Sequence, residues 1–171
     1  MLAAVETKLF NRTFWVIITG AKSDLKIIRS GFGQLNRLIA SWEVEVSIRT
    51  NSKIQNAILA YQDRKFEPIT DFELEQPGSE FANRVWREIS AIPVGETISY
   101  GELANRAGSS AAVRAAGTAC GKNAIPIFIP CHRVIPATGG VGNYAYGKKL
   151  KEQLLAHERG KHHIRKLASR K

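Results

Sequence analysis

Glu75-Gln76-Pro77-Gly78-Ser79 breaks the chain with adjacent proline and glycine, and the hydrophobic patterning differs on its two sides. Before the break, short β-branched and aromatic runs dominate. Phe14-Trp15-Val16-Ile17-Ile18-Thr19, closed by Gly20, predicts a strand, and Leu25-Lys26-Ile27-Ile28 a second one after a Gly-Ala-Lys-Ser-Asp turn. Leu35, Leu38, Ile39 and Trp42 fall at the spacing of one helix face. Val44, Val46 and Ile48 alternate as a half-buried strand does, and Ile54, Ile58 and Tyr61 predict a further short helix. This half has no histidine and no cysteine, which excludes a thiolate or imidazole metal site there and leaves it a scaffold role.

After the break the pattern is helical. Ser79 is placed to cap a helix with Phe81, Val85 and Ile89 on one face and Trp86 in the core. Pro93-Val94-Gly95-Glu96 reads as a turn. Ser99-Tyr100-Gly101-Glu102 has the capping-box spacing, so a helix starts there and runs to about Ala107. Gly108-Ser109-Ser110 ends it, and a second helix is predicted over Ala111 to Gly121, a helix-turn-helix candidate. The fold class is α+β, divided as residues 1–76, 77–160 and a basic tail 161–171.

Composition narrows the setting. At 171 residues and 44% apolar the chain buries a sizeable core, and two cysteines exclude a disulfide-stapled scaffold. No apolar run reaches the ~20 residues of a membrane span. The start, Met1-Leu2-Ala3-Ala4-Val5-Glu6, lacks the pattern of a signal peptide, so the expected location is intracellular. The net charge is +10, of which residues 147–171 carry +7. A basic end fits a polyanion such as nucleic acid, and it also fits a solvated tail. His162-His163 in that tail reads as solvated rather than metal-binding.

The second predicted helix carries Ala111, Ala112, Val113, Ala115, Ala116, Gly117, Thr118 and Ala119, with Arg114 the one long side chain near its start. Such side chains have little reach to base edges but let a helix backbone approach a narrow groove closely. They equally fit a core helix packed tightly on its neighbours. Chemistry concentrates in Asn123 to Ile135, where apolar residues lead into Cys131-His132-Arg133. A thiol beside imidazole and guanidinium can be held as thiolate, the nucleophilic form. Leu150, Leu154 and Leu155 mark a helix presenting His157 and Glu158, so Cys131, His132 and Glu158 are candidates for nucleophile, base and orienting carboxylate. Residues alone fit a cysteine hydrolase as well. Cys120 reads as a neutral packed thiol, and Arg133 as a structural hydrogen-bonding or ion-pairing group.

Pro130-Cys131-His132-Arg133 with its apolar lead-in resembles the active-site signature of the O6-alkylguanine-DNA alkyltransferases. The similarity runs from about Phe81 to Glu158 and includes Gly95-Glu96-Thr97-Ile98-Ser99-Tyr100, Arg114-Ala115-Ala116-Gly117, Asn123, Val141-Gly142-Asn143-Tyr144 and Leu154-Leu155-Ala156-His157-Glu158. The first half matches only in layout.

The resemblance implies a ribonuclease-H-like first domain and a mainly helical, winged-helix-like second one. It implies direct reversal of O6-alkylguanine damage in double-stranded DNA, by a monomer that can bind cooperatively and acts once per molecule without cofactor or metal. Cys131 would accept the alkyl group, His132 would take its proton through a water, and Glu158 would orient His132. Asn123 would sit at a hinge before the nucleophile strand. Arg114 would enter the duplex where the nucleotide leaves, with Ala115 and Gly117 beside it on the docking helix. Tyr100 would contact the 3′ phosphate or donate to the flipped guanine. Backbone groups of Cys131, Val134 and Ala145 would bind the guanine edge, with Tyr144 in the adjoining loop.

The chain departs from relatives in having Asn123-Ala124 for Asn-Pro and Ala145 where some carry a hydroxyl. A lesion-binding protein without transfer is the rival within this class, and Cys131 argues against it. The Val-Gly-Asn-Tyr and Leu-Leu-Ala-His-Glu strings resemble animal relatives, which points to the nucleus in a eukaryote; the cytoplasm is expected in a bacterium or archaeon.

Overall fold

The computed structural model describes residues 2–21 and 24–160, so the basic tail, with His162 and His163, lies outside the described residues. Two compact units emerge. The first comprises residues up to Pro77 together with Ala124–Phe128, and the second comprises Gly78–Asn123 and the described residues from Ile129 onward. The division therefore differs from 1–76 and 77–160 in one respect that matters: five residues of the second half are built into the first unit.

The first unit is a five-stranded sheet with helices. Its strands are β1 (Leu2–Leu9), β2 (Arg12–Thr19), β3 (Lys26–Phe32), β4 (Val46–Ile48) and β5 (Glu73–Leu74), in the order β4-β1-β2-β3-β5. β1, β2 and β3 form an antiparallel meander, while β4 joins β1 and β5 joins β3 in parallel. The β1–β2 turn uses only Phe10 and Asn11, both with positive φ (51° and 61°). This geometry matches the twist of the flanking strands; asparagine tolerates it readily, phenylalanine less so.

One face of the sheet packs Val5, Leu9, Phe14 and Val16 near α2 (Ser52–Gln62), whose Ile54, Ala57, Ile58 and Tyr61 are buried. Asn51 caps α2 by accepting from Ile54 N at 3.1 Å. The other face buries Ala4, Trp15 and Ile17 against Leu35, Leu38, Ile39, Trp42 and Val46. The predicted helix face at Leu35–Trp42 thus exists as a packing surface, but only Leu35–Leu38 (α1) is helical, and the backbone leaves helical geometry at Ile39. The half-buried alternation at Val44, Val46 and Ile48 is corrected. Val44 and Ile48 are 53% and 66% exposed, since β4 is an edge strand with only Val46 packed inward.

Residues 124–128 are fastened to this unit by polar groups. Ser30 N donates to Ala124 O at 2.9 Å and Ser30 Oγ to Pro126 O at 2.8 Å, with Ser30 buried. Ala124 N donates to Gln76 Oε1 at 2.7 Å, and Phe128 meets Phe72 edge to face at 5.6 Å.

The second unit contains α3 (Glu80–Ser90), β6 (Ile98–Ser99), α4 (Tyr100–Arg106), α5 (Val113–Gly121), β7 (Val134–Ile135) and α6 (Lys148–Arg159). Ser79 caps α3 through Ala82 N, and Ser99 caps α4 through Glu102 N. The reverse half of the capping box is diverted, because Glu102 pairs with Arg106 instead. α5 starts at Val113 rather than Ala111, after a turn from Ala107. Trp86 is buried and donates Nε1–H to Ala119 O at 2.9 Å, locking α3 to α5. β6 and β7 pair in parallel through Ile98–Val134 and Ser99–Ile135. Among the described residues no helix is long and apolar enough to cross a membrane.

The Ser30→Ala variant is expected to lose about 1–3 kcal/mol, the cost of leaving the Pro126 carbonyl buried without its donor. Urea unfolding checks this; a midpoint equal to wild type would show that Ser30 does not hold the 124–128 segment.

Candidate active site

Cys131 does not end a strand, as the expectation of a nucleophile strand required. The approach through Ile125–Pro130 is irregular, with Ile127 at φ +76°, and Cys131–Arg133 forms a single 3₁₀ turn leading into β7. Two prolines and the left-handed backbone at Ile127 prevent continuous strand pairing. The turn is set by short backbone bonds: Cys131 N donates to Ile129 O at 2.8 Å and Arg133 N to Pro130 O at 2.9 Å. Asn123, just past α5, donates Nδ2–H to Ile129 O at 2.8 Å and so ties the helix end to the residues before the cysteine.

α6 brings Glu158 to this turn. Leu150, Lys151, Leu154, Leu155 and Glu158 share its buried face, so the leucine register that packs the helix also places the carboxylate inside. Glu158 Oε1 lies 2.8 Å from His132 Nε2 and accepts from Arg133 Nη2 at 3.0 Å, while Oε2 accepts from Arg133 Nε at 2.8 Å. Arg133 Nη1 donates to Ile92 O. The structure therefore brings His132 and Glu158 together as expected, and gives Arg133 the ion-pairing role expected for it.

Burial alone would raise the Glu158 carboxyl, but the bonds and charges of His132 and Arg133 outweigh it and hold the group well below the usual carboxylate range. Burial pushes His132 below its ordinary 6.5; Glu158 opposes this, while the charges of Arg133 and Lys151 add to it. The imidazole is thus neutral, with Nε2–H given to Glu158. Its Nδ1 is buried with no hydrogen-bond partner among the described residues, a free acceptor.

The idea that imidazole and guanidinium hold the thiolate is corrected here. His132 is neutral and Arg133 is committed to Glu158 and Ile92. Cys131 is nevertheless depressed below its ordinary 9.0, by the Cys120 thiol first, then, against burial, by the Asn123 amide and the Lys151 ammonium. Cys120 itself is pushed up by Cys131 and by burial, in keeping with a neutral thiol. Lys151 is only 1% exposed and donates to Val134 O at 2.7 Å and Asn143 O at 3.4 Å. Sequence reasoning missed it. The available signal was a lysine in an apolar stripe between leucines.

The remaining candidates are spread around this centre. Tyr100 opens α4, and burial, with both thiols adding, pushes its phenol up to about 12, so it stays protonated. A Cβ on Gly117 would sit 3.8 Å from the Tyr100 ring. The small residues of α5 divide between two faces: Ala116, Ala119 and Cys120 are buried, as a tightly packed core helix requires, while Val113, Arg114, Ala115 and Thr118 are exposed. Val134 is buried and its N–H is given to Cys131 O. Tyr144 is half-buried beside Tyr146, with ring centroids 5.8 Å apart, and Ala145 is exposed. Among the described residues no three His, Cys, Asp or Glu side chains are grouped to hold a metal.

Residues 80–160 match the family model for the DNA-binding domain of 6-O-methylguanine DNA methyltransferase. A methylated-DNA–protein-cysteine methyltransferase of Methanosarcina acetivorans is 37% identical over 142 residues, which cover 82% of this chain and 88% of the relative. The chain belongs to the methylated-DNA–protein-cysteine methyltransferase family. A family member of the same name from Mycolicibacterium paratuberculosis is 53% identical over 89 residues, 52% of this chain. That alignment spans about half of the relative's length, 54%. The crystal structure of Mycobacterium tuberculosis O6-methylguanine methyltransferase superposes with a TM-score of 0.76 at 30% identity, covering 93% of each chain, which shows the shared α+β fold. These family members are bacterial and archaeal, so they lend nothing to the animal-like reading of the 141–144 and 154–158 strings.

The buried network dictates a pH response. His132 binds a proton more readily unfolded than folded, so stability is full above its ordinary 6.5 and falls as pH drops below it. Glu158, with a depressed folded pKa, adds a second loss below its ordinary 4.5. The Glu158→Gln variant leaves Arg133 buried without counter-charge and is expected to lose about 3–5 kcal/mol. Urea unfolding between about pH 4 and 8 checks both expectations; a flat wild-type profile or a change under about 1 kcal/mol in the variant would contradict them.

Proposed function

We propose that this chain repairs double-stranded DNA by direct reversal, extruding an O6-alkylguanine and transferring the alkyl group irreversibly to Cys131. The observation that carries the reading is a buried cysteine with its thiol depressed, next to a neutral histidine fixed by Glu158. An alkyl group on a base inside a duplex lies beyond a side chain's reach, so the nucleotide leaves the stack. Arg114, exposed near the start of α5, fills the gap, and Ala115 and Gly117 let the helix approach the groove.

His132 Nδ1 accepts the Cys131 proton through a water, while Nε2–H keeps its bond to Glu158. The thiolate sulfur attacks the alkyl carbon and the carbon–O6 bond breaks. The electron pair leaves on guanine, which takes a proton from the Tyr100 phenol. The thioether offers water no good leaving group, so each molecule acts once. Backbone groups of Cys131 and Val134 serve the guanine edge, and Ala145 offers its N–H beside the Tyr144 wall. Asn123 couples the docking helix to the nucleophile turn through Ile129.

The β3-β2-β1-β4 run, antiparallel but for its last pair, supports a ribonuclease-H-like description of the first unit. β6 and β7 beside α4 and α5 support a winged-helix-like description of the second. The name of the mycobacterial relative's DNA complex, with a TM-score of 0.70 at 29% identity, favours DNA as the partner.

Incubation with a duplex carrying one O6-methylguanine should add one methyl group to the Cys131 peptide by mass, stopping at one equivalent, and none to Cys131→Ser. Tight lesion binding with no added mass would leave a recognition protein; repeated turnover of an ester without DNA would leave a hydrolase. Arg114→Ala should slow methyl transfer about tenfold or more while changing undamaged-duplex affinity under about threefold, the effect of one phosphate contact being uniform. Equal losses in both would reduce Arg114 to such a contact.

A further inference from the structure

Cys120 sits in the last turn of α5, buried, with Sγ 3.8 Å from the carbonyl oxygen of Cys131. Two reduced thiols from separate elements thus share one buried space, and only Cys131 has a role in the reaction above. A thiolate buried to 8% exposure needs a donor. Among the described residues, these groups face it. From its own turn come His132, neutral and bonded to Glu158, and Arg133, with its guanidinium divided between Glu158 and Ile92. α6 contributes Lys151, already donating to Val134 and Asn143, and α4 contributes the Tyr100 phenol. Asn123 donates to Ile129 O and also bonds the Cys131 sulfur, adding to what Cys120 supplies. Cys120 is a neighbour whose proton can be redirected by a single rotation about Cβ–Sγ, within a buried space its sulfur already shares with Cys131.

We propose that Cys120 is a positioning residue for the alkyl transfer assigned above, its S–H turning from the Cys131 carbonyl to the Cys131 sulfur and holding that sulfur as thiolate. No bond to a heavy atom forms or breaks at Cys120. When Cys131 becomes a neutral thioether, a weak acceptor, the S–H returns to the carbonyl. The opposite displacements of the two thiols, Cys131 down and Cys120 up, agree with one proton kept on Cys120.

The test uses the full chain without DNA. Iodoacetamide alkylation of the Cys131 peptide is followed against pH for wild type, Cys120→Ala and Cys120→Ser, with thermal melting of each and methyl transfer from an O6-methylguanine duplex in parallel. Removing the donor in Cys120→Ala should raise the midpoint of Cys131 alkylation by about one pH unit or more, about a tenfold loss of thiolate below the midpoint. Cys120→Ser keeps a donor and should recover at least about half of that shift. Should the alanine variant fail to fold, Cys120→Val, apolar and similar in volume, carries the same expectation. An alanine or valine midpoint equal to wild type overturns the proposal, whatever happens to the melting temperature, and so does a serine midpoint equal to alanine's. A shifted midpoint in a protein whose wild type accepts no methyl group upholds the thiol pairing and rejects the repair reading.

Discussion

A single buried carboxylate organises the reactive half of this protein. Glu158 has no exposed side-chain surface, and an ion of its size without partners would cost several kcal/mol or more to bury. Its partners are His132 and Arg133, adjacent residues of one 3₁₀ turn. The turn is required because it lets two consecutive side chains reach the same carboxylate from one side of the chain. That requirement explains why the prolines and the positive φ of Ile127 break any strand before Cys131. It also explains why α6 must pack in one register: rotating the Leu150, Leu154 and Leu155 face away would withdraw the charge that both partners need.

The same network decides the chemistry by what it consumes. Arg133 spends its donors on Glu158 and Ile92, and His132 spends Nε2 on Glu158. The two basic residues that follow Cys131 in sequence are therefore not the groups that depress its thiol. That task falls to Cys120, Asn123 and Lys151, contributed by α5, the turn after it, and α6. His132 is left as a neutral base with one free nitrogen, a form suited to taking a proton rather than carrying one.

Local signals were readable where local chemistry determines structure. Ser79 and Ser99 cap the helices that their spacing predicted, and the leucine pattern of α6 delivered Glu158 to His132. β1 went unread because Ala3, Ala4, Glu6 and Lys8 carry little strand preference; its state comes from pairing with β2 on one side and β4 on the other. The helix expected over Leu35–Trp42 shrank to one turn, its apolar spacing surviving as contacts on Trp15 and Ile17. The attachment of residues 124–128 to Ser30 and Gln76 links positions far apart in sequence, and no periodicity marks it. Lys151 shows the same limit: a lysine among leucines is visible, but the carbonyls that accept its protons are not.

The state of His132 is the point on which this account turns, and nitrogen NMR of the imidazole in the free protein at about pH 7 reads it directly. A neutral ring with its proton on Nε2 is the result predicted, since burial and Glu158 fix that form. An imidazolium at that pH, or a neutral ring protonated on Nδ1, would contradict it, because neither leaves Nδ1 able to accept the cysteine proton.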